Sequence, residues 1–469
     1  MNNKRRDFLR ITGLAGLGLA GGNLLSSFKP QEKAPGLITG YSMGTFNMSG
    51  YAAPKLDVVR VAFVGLGNRG PAAVNRLKRI AGVDIKALCD LRPEKVNTAK
   101  DLLKGTAHKP EIYTDKEDAW KKMFDRNDID LVYIATPWAL HTPMAVYAMN
   151  SGKHVCVEVP AATTVEECWQ LVETSERTKK HCMMLENCCY DFFELLTLNM
   201  ARQGLFGEII HGEGAYIHDI LEGNFSKTKN YKLWRLQEYT KRKGNLYPTH
   251  GLGPVCQAMN INRGDRMDYL VSVSGNDFMM EKRAEQLASS DSFYKAFTGK
   301  DYNGNMNTTT IRTEKGKTIM LQHDVTSPRP YSRLHLISGT QGIAQKYPLP
   351  GKIAIGGDEW LSEEKIRELE TKYTPPIVKL VGEMAKEIGG HGGMDFIMDW
   401  RTIDCLRNGL ALDQDVYDAA LWSSILPLSE KSLANRSNSV DIPDFTRGFW
   451  KTNKPVDVSM STGGTTKVI

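Results

Sequence analysis

Outside its N-terminal leader the chain has no apolar run long enough to cross a bilayer, which excludes a later transmembrane helix. It has little cysteine and no CxxC pair at metal-ligand spacing. Cys89, Cys156, Cys168, Cys182, Cys256 and Cys405 stand apart, most of them in apolar runs. The neighbours Cys188 and Cys189 could hardly bridge each other without strain. Buried free thiols are therefore expected, with neither a disulfide framework nor a metal site. No basic stripe with interleaved aromatics is present, so a nucleic-acid partner is excluded. No internal repeat is visible. The formal net charge of +6 is small for 469 residues, and part of it sits in the leader. What remains is ordinary globular composition, 41% hydrophobic and 24% charged. The length exceeds what one hydrophobic core usually supports, so two domains are expected.

The leader is informative. Lys4-Arg5-Arg6-Asp7-Phe8-Leu9-Arg10 precedes a Gly-, Ala- and Leu-rich run from Ile11 to Leu25. A charged segment followed by a short apolar one reads as an export signal and is too short for a membrane span. Paired arginines before Phe-Leu resemble a bacterial twin-arginine signal, which would place the protein in the periplasm. A general secretory signal or an uncleaved anchor are the alternatives. Residues 1–33 are assigned to this leader and 34–55, rich in Gly, Pro and Ser, to a linker.

Alternation then begins. Val58 to Val64 is a buried-strand run, and Pro71 to Ile80 is helical in pattern. Strands are expected at Asp84 to Cys89, Leu131 to Ala135, His154 to Val159 and Cys182 to Glu186, with helices Lys116 to Phe124, His141 to Ser151 and Val165 to Thr178 between them. That rhythm implies a parallel sheet with helices on both faces, over residues 56–187. Beyond Asn187 strands follow one another at Glu208 to His218, Tyr269 to Ser274, Thr308 to Thr313, Thr318 to His323 and Arg333 to Ser338. Residues 188–469 are therefore expected to form a second, α+β domain with a mostly antiparallel sheet. The fold class is α/β.

Gly65-Leu66-Gly67-Asn68-Arg69-Gly70 directly follows the first strand and opens a helix. Gly65 allows the tight turn, Gly67 lets backbone approach a pyrophosphate, and Gly70 lets helix and strand pack closely. The phosphates then sit on the helix N-terminus. Asp90 ends the next strand, where a carboxylate accepts the adenosine ribose hydroxyls and repels a 2′-phosphate, which favours NAD over NADP. Trp138 and His141 follow another strand at the carboxyl edge and are candidates for the nicotinamide end.

Val157-Glu158-Val159-Pro160 resembles the Glu-Lys-Pro signature of the glucose–fructose oxidoreductase and inositol dehydrogenase superfamily, with Val159 where the Lys belongs. Proton handling then needs another group. Tyr247-Pro248-Thr249-His250-Gly251 supplies a candidate, because histidine ionises nearest neutral pH. Glu158, Asn187, Tyr190, Arg235, Tyr247, His250 and Tyr331 form a candidate sugar pocket. His391, in Gly389-Gly390-His391-Gly392-Gly393, reads instead as part of a glycine-rich helix start.

The stretches Glu158-Val159, Leu185 to Tyr190, Trp234-Arg235, Leu246 to Pro254, Arg329-Pro330-Tyr331, Gly390 to Asp395 and Pro427 to Ser432 are similar, in order and spacing, to glycoside hydrolase family 109. These are the NAD-dependent bacterial α-N-acetylgalactosaminidases. The resemblance runs from about Val58 to about Trp450 and departs at Pro160, at Asp191 and in a short stretch between His218 and Tyr231. It implies NAD contacts from Asn68, Arg69, Asp90, Trp138 to His141, Glu158, Val159 and Asn187. It implies substrate contacts from Tyr216, Arg235, Tyr247, Pro248, Thr249, His250 and Tyr331. The implied reaction is oxidation at the sugar C3, loss of the C1 substituent after removal of the C2 proton, water addition and re-reduction, with NAD tightly held and recycled. His250 is the expected proton carrier, with Tyr247 and Tyr331 assisting. The expected partner is a glycan ending in N-acetylgalactosamine; homo-oligomerisation is left open. Two other readings stand beside it, a sugar dehydrogenase that releases NADH and a sugar-binding protein without turnover.

Overall fold

The computed structural model describes residues 46–469. The leader and residues 34–45 of the linker lie outside them. Elements β1 (Val59–Val64), α1 (Gly70–Leu77), β2 (Val83–Cys89), α2 (Pro93–Asp101), β3 (Glu111–Tyr113), α3 (Ala119–Phe124), β4 (Leu131–Ile134), α4 (His141–Asn150), β5 (His154–Val157), α5 (Val165–Thr178) and β6 (Cys182–Met184) alternate, with α2 and β3 added to those expected. The six strands are parallel in the order β3-β2-β1-β4-β5-β6. Strands β4 and β5 are buried throughout, because helices cover both faces. The order reverses between β1 and β4, and a crevice opens there at the carboxyl ends of the strands.

The second sheet holds β7 (Ile209–Ile217), β8 (Met267–Ser274), β9 (Asn307–Thr313), β10 (Thr318–Asp324), β11 (Ser332–Gly339), β12 (Gly342–Gln345), β13 (Lys352–Ile355) and β14 (Val440–Asp441). Its order is β13-β12-β11-β7-β10-β9-β8-β14, antiparallel except where β7 and β10 run parallel. Helix α6 (Phe192–Arg202) precedes β7, and α7 (Trp234–Lys241) and α8 (Thr249–Met259) lie between β7 and β8 in sequence. Helix α8 docks on β7 through glycines on both sides. A Cβ at Gly214 would lie 2.3 Å from the Gly251 carbonyl oxygen, and one at Gly251 would lie 2.2 Å from the Ala215 nitrogen. That close approach puts the start of α8 against the end of β7.

Contacts cross both of the boundaries read from the sequence. Residues 46–55 are not a free tether: Met48 and Ala53 are buried, the Met48 N–H donates to the Tyr417 hydroxyl, and Ala52 bridges Ala411. Part of residues 188–469 also covers the parallel sheet. Helix α9 (Met394–Asn408) packs on α1 and β1, tied by Arg76 to Asp399 at 2.7 Å, and α10 (Val416–Ala434) packs on α5 and β6 as well as β8. The parallel sheet needs apolar cover on both faces, and its own crossover helices leave part of it open. Among the described residues no helix is long and apolar enough to cross a membrane.

Candidate active site

The glycine loop is built by contact. Gly65 has φ +87°, and a Cβ there would lie 2.4 Å from the Ala135 carbonyl oxygen at the end of β4. A Cβ at Gly70 would meet the Gly65 oxygen at 2.1 Å. The Leu66 N–H donates to Asp90 Oδ2 at 2.7 Å, and Asp90 Oδ1 accepts the Arg92 backbone N–H and Nε–H at 3.0 and 3.1 Å. Asp90 thereby pins the loop and an arginine beside it. Gly67, Asn68, Asp90, Trp138, Glu158 and Val159 line a cleft of about 310 Å³. His141 is buried, with Nδ1 2.7 Å from the Pro160 oxygen and Nε2 2.7 Å from the Thr136 oxygen, so it braces the wall behind Trp138. Burial holds its pKa below the ordinary histidine value, against the pull of the two carbonyls.

A second cavity of about 250 Å³ adjoins the first and shares Asn68, Arg69, Glu158, Arg235 and Tyr247 with it. Tyr216, His218, His250 and His391 also line it. Nδ1 of His250 lies 2.8 and 2.9 Å from the two carboxylate oxygens of Glu186, which is fully buried at the end of β6. Nε2 is left as the ring nitrogen open to the cavity. Burial pushes the Glu186 carboxyl up, but the charge and hydrogen bond of His250 outweigh it and hold the group below its ordinary value. Tyr247 stands edge-on to His250 at 4.9 Å, and Tyr216 lies 4.5 Å from Tyr247. The Arg235 guanidinium sits 5.0 Å over Tyr247 and 5.5 Å over Trp138. Burial raises the phenol pKa of Tyr216 and Tyr247, so both remain hydroxyl donors at neutral pH. Tyr331, expected in the sugar pocket, lines neither cavity: it is half-exposed, edge-on to His218 at 4.9 Å, with Arg333 Nη1 3.5 Å from its hydroxyl.

The residues around the cleft fit a dinucleotide: a Cβ-free backbone turn, a carboxylate fixed beside it, and an apolar wall of Trp138 and Val159 at the other end. Residues 59–186 match the NAD-binding Rossmann fold of an oxidoreductase family, and residues 190–452 match the C-terminal domain of glycosyl hydrolase 109. A glycosyl hydrolase family 109 protein of Shewanella baltica is 48% identical over 463 residues, 97% of this chain and 99% of its own. The chain belongs to glycosyl hydrolase family 109. The relative from Bacteroides fragilis, an alpha-N-acetylgalactosaminidase, is 52% identical over 408 residues, 86% of this chain and 95% of its own. Among solved structures, a levoglucosan dehydrogenase in complex with NADH and levoglucosan superposes with a TM-score of 0.62 at 19% identity, covering 82% of this chain and 100% of its own. An inositol dehydrogenase homolog of Azotobacter vinelandii gives 0.59 at 16%, covering 84% and 100%. These two likenesses are of fold. The cofactor of this family 109 chain is NAD.

Not every residue singled out from the sequence reaches the cavities. Tyr190 is buried, its hydroxyl donating to Asp413 at 3.3 Å, and it lines neither one. Asn187 stands behind the wall with its amide on Asp395. Pro248 and Thr249 are buried at the start of α8 and position His250 without lining either cavity. Two residues were missed. Glu186 is one residue from the expected Asn187, but nothing local pairs it with His250. His391, read as structural, lines the second cavity with its side chain 55% exposed, and its Nδ1 lies 3.0 Å from Asp395 Oδ2. Arg69 joins these groups, with Nε on Glu158 at 3.0 Å and Nη1 on Asp395 at 3.2 Å. Glu186, Cys188 and His250 offer ligand atoms within 4.8 Å of one another. Burial pushes the Cys188 thiol well up.

Proposed function

We propose that the protein is an NAD-dependent α-N-acetylgalactosaminidase that releases terminal α-linked N-acetylgalactosamine by oxidation at C3, elimination, water addition and re-reduction. One observation carries the reading. His250, held by Glu186, and Val159, standing where a superfamily dehydrogenase has lysine, belong to adjoining cavities that share Glu158 and Tyr247. Gly67, Asp90, Trp138 and Val159 would hold NAD, which would supply a two-electron hydride acceptor and donor within one turnover. Glu186 locks Nδ1 of His250, so Nε2 is the nitrogen that takes the O3 or C2 proton and gives it back. His391, at the exposed side and oriented by Asp395, holds the proton that the departing C1 oxygen needs. Arg235 and the Tyr216 and Tyr247 hydroxyls hold the sugar, Tyr331 adds a hydroxyl beyond His218, and the Trp138, Trp234 and Tyr247 rings exclude water.

The test is hydrolysis of an aryl α-N-acetylgalactosaminide in D₂O with no added NAD. Aglycone release with deuterium at C2 of the product supports the proposal. Net NADH with an intact glycoside would instead mark a sugar dehydrogenase. The Arg5-Arg6 leader supports export by the twin-arginine route to the periplasm, since that route carries proteins already folded around a cofactor. All eight cysteines are buried and free, as suits folding before export. A leader–reporter fusion that still reaches the periplasm when the twin-arginine translocase is deleted would overturn this assignment.

A further inference from the structure

The short stretch between His218 and Tyr231, which links β7 to α7, departs from the family pattern. The structure takes it further. Lys229, Asn230 and Tyr231 line the dinucleotide cleft opposite Gly67, Asp90 and Arg92, and Lys229 and Asn230 also line the sugar cavity. The Arg92 guanidinium lies 5.1 Å over the Tyr231 ring. Arg92 is itself held by Asp90 at 3.1 Å. A chain of contacts, Asp90 to Arg92 to Tyr231, thus crosses the mouth of the cleft from the Rossmann sheet to the other domain.

The crossing segment is anchored at both ends. Phe225 is buried, and its carbonyl accepts the Tyr294 hydroxyl at 2.7 Å. Lys227 pairs with Asp291 and lies 4.3 Å over Phe293. Asn230 donates to the Gly223 carbonyl at 3.2 Å. At the far end Leu233 is buried, reached through two consecutive non-glycine residues with φ +51°. Left-handed backbone at such residues persists only where the surroundings hold it, so this end is fixed in place. Between the anchors the residues from Lys227 to Lys232 are mostly exposed. Nothing in the core depends on their side chains.

We propose that Lys229, Asn230 and Tyr231 form the outer wall of the NAD site, with the Arg92–Tyr231 contact as a clasp that retains the cofactor through turnover. Lys229 supplies positive charge for the pyrophosphate, and Tyr231 supplies a ring face. The proposal rests on the reading of NAD as a resident, recycled group, because a dehydrogenase that exchanges its cofactor each cycle gains nothing from such a wall.

The test measures NAD per chain after prolonged dialysis, by acid release and absorbance, in the wild type, Tyr231→Ala, Lys229→Ala and Tyr231→Phe. The wild type should keep its NAD and gain nothing from added NAD. Tyr231→Ala and Lys229→Ala should lose it about tenfold faster or more, a stacked cation and one ionic contact each being of that order. Activity of Tyr231→Ala should then depend on added NAD and recover when it saturates. Tyr231→Phe, which keeps the ring, should retain NAD nearly as the wild type does. A wild type that keeps NAD beside alanine variants that keep it equally well overturns the clasp alone. A wild type that sheds NAD during dialysis overturns the resident-cofactor reading and the clasp with it.

Discussion

Glu186→Gln isolates what the buried carboxylate does for His250. The two oxygens of Glu186 lie 2.8 and 2.9 Å from Nδ1, and Oε1 also accepts the Cys188 N–H at 3.1 Å. Gln has the same shape and retains one acceptor, so the fold should survive. What is lost is the negative charge facing a ring that becomes positive when Nε2 takes a proton. A hydrogen bond to a charged partner contributes about 1.5–3 kcal/mol, and at a residue sealed from solvent no water replaces it. That stabilisation is felt in the transition state more than in the ground state, so kcat should fall between about tenfold and 150-fold. KM should hold, because Glu186 lines neither cavity. The assay is steady-state hydrolysis of an aryl α-N-acetylgalactosaminide, with NAD content and a thermal melt measured alongside. Since the folded Glu186 carboxyl is depressed below its ordinary value, its contribution to stability is present above the unfolded carboxylate range and lost as pH falls. The variant should therefore lose less of its stability in acid than the wild type does. A Glu186→Gln enzyme with wild-type kcat and full NAD content would refute the dyad.

His391→Ala should impair release of alkyl aglycones far more than of 4-nitrophenol, whose departure needs no proton; equal losses across a leaving-group series would remove His391 from that role. Asp90→Ala frees the Leu66 N–H and Arg92, and should cost about 1.5–3 kcal/mol in NAD retention while admitting NADP on reconstitution of the cofactor-free protein. Gly251→Ala sets a Cβ 2.2 Å from the Ala215 nitrogen and should destabilise the protein by at least about 1–3 kcal/mol, read as a lower melting temperature or loss of soluble protein. Glu430 is raised to about 7, chiefly by burial and partly offset by Arg242. Its folded pKa exceeds the unfolded value, so its contribution is full below about pH 4.3 and declines as pH rises through 7. Glu430→Gln should flatten that decline by about 1–3 kcal/mol between pH 5 and 8, measured by denaturant unfolding.

The parallel sheet, the glycine loop and Asp90 were legible because their signals are local. A buried strand, a glycine spacing and a helix start are each written within a dozen residues, and they mean the same thing wherever the rest of the chain goes. The family motifs are local too, and they carry His250, Tyr247, Trp138 and Glu158 to the walls of the adjoining cavities. What only the tertiary structure decided is which of these residues work together. Glu186 and His250 are 64 positions apart and meet because Gly214 and Gly251 let α8 rest on β7. His391 reaches the sugar cavity, and α9 covers the Rossmann sheet, because that sheet lacks enough helices of its own to bury its faces. Tyr190 sits in the family motif, yet the short helical turn after Glu186 points its hydroxyl to Asp413. The strap across NAD follows the same logic. Tyr231 and Arg92 have no shared pattern in sequence and face each other only when two domains close on one cleft.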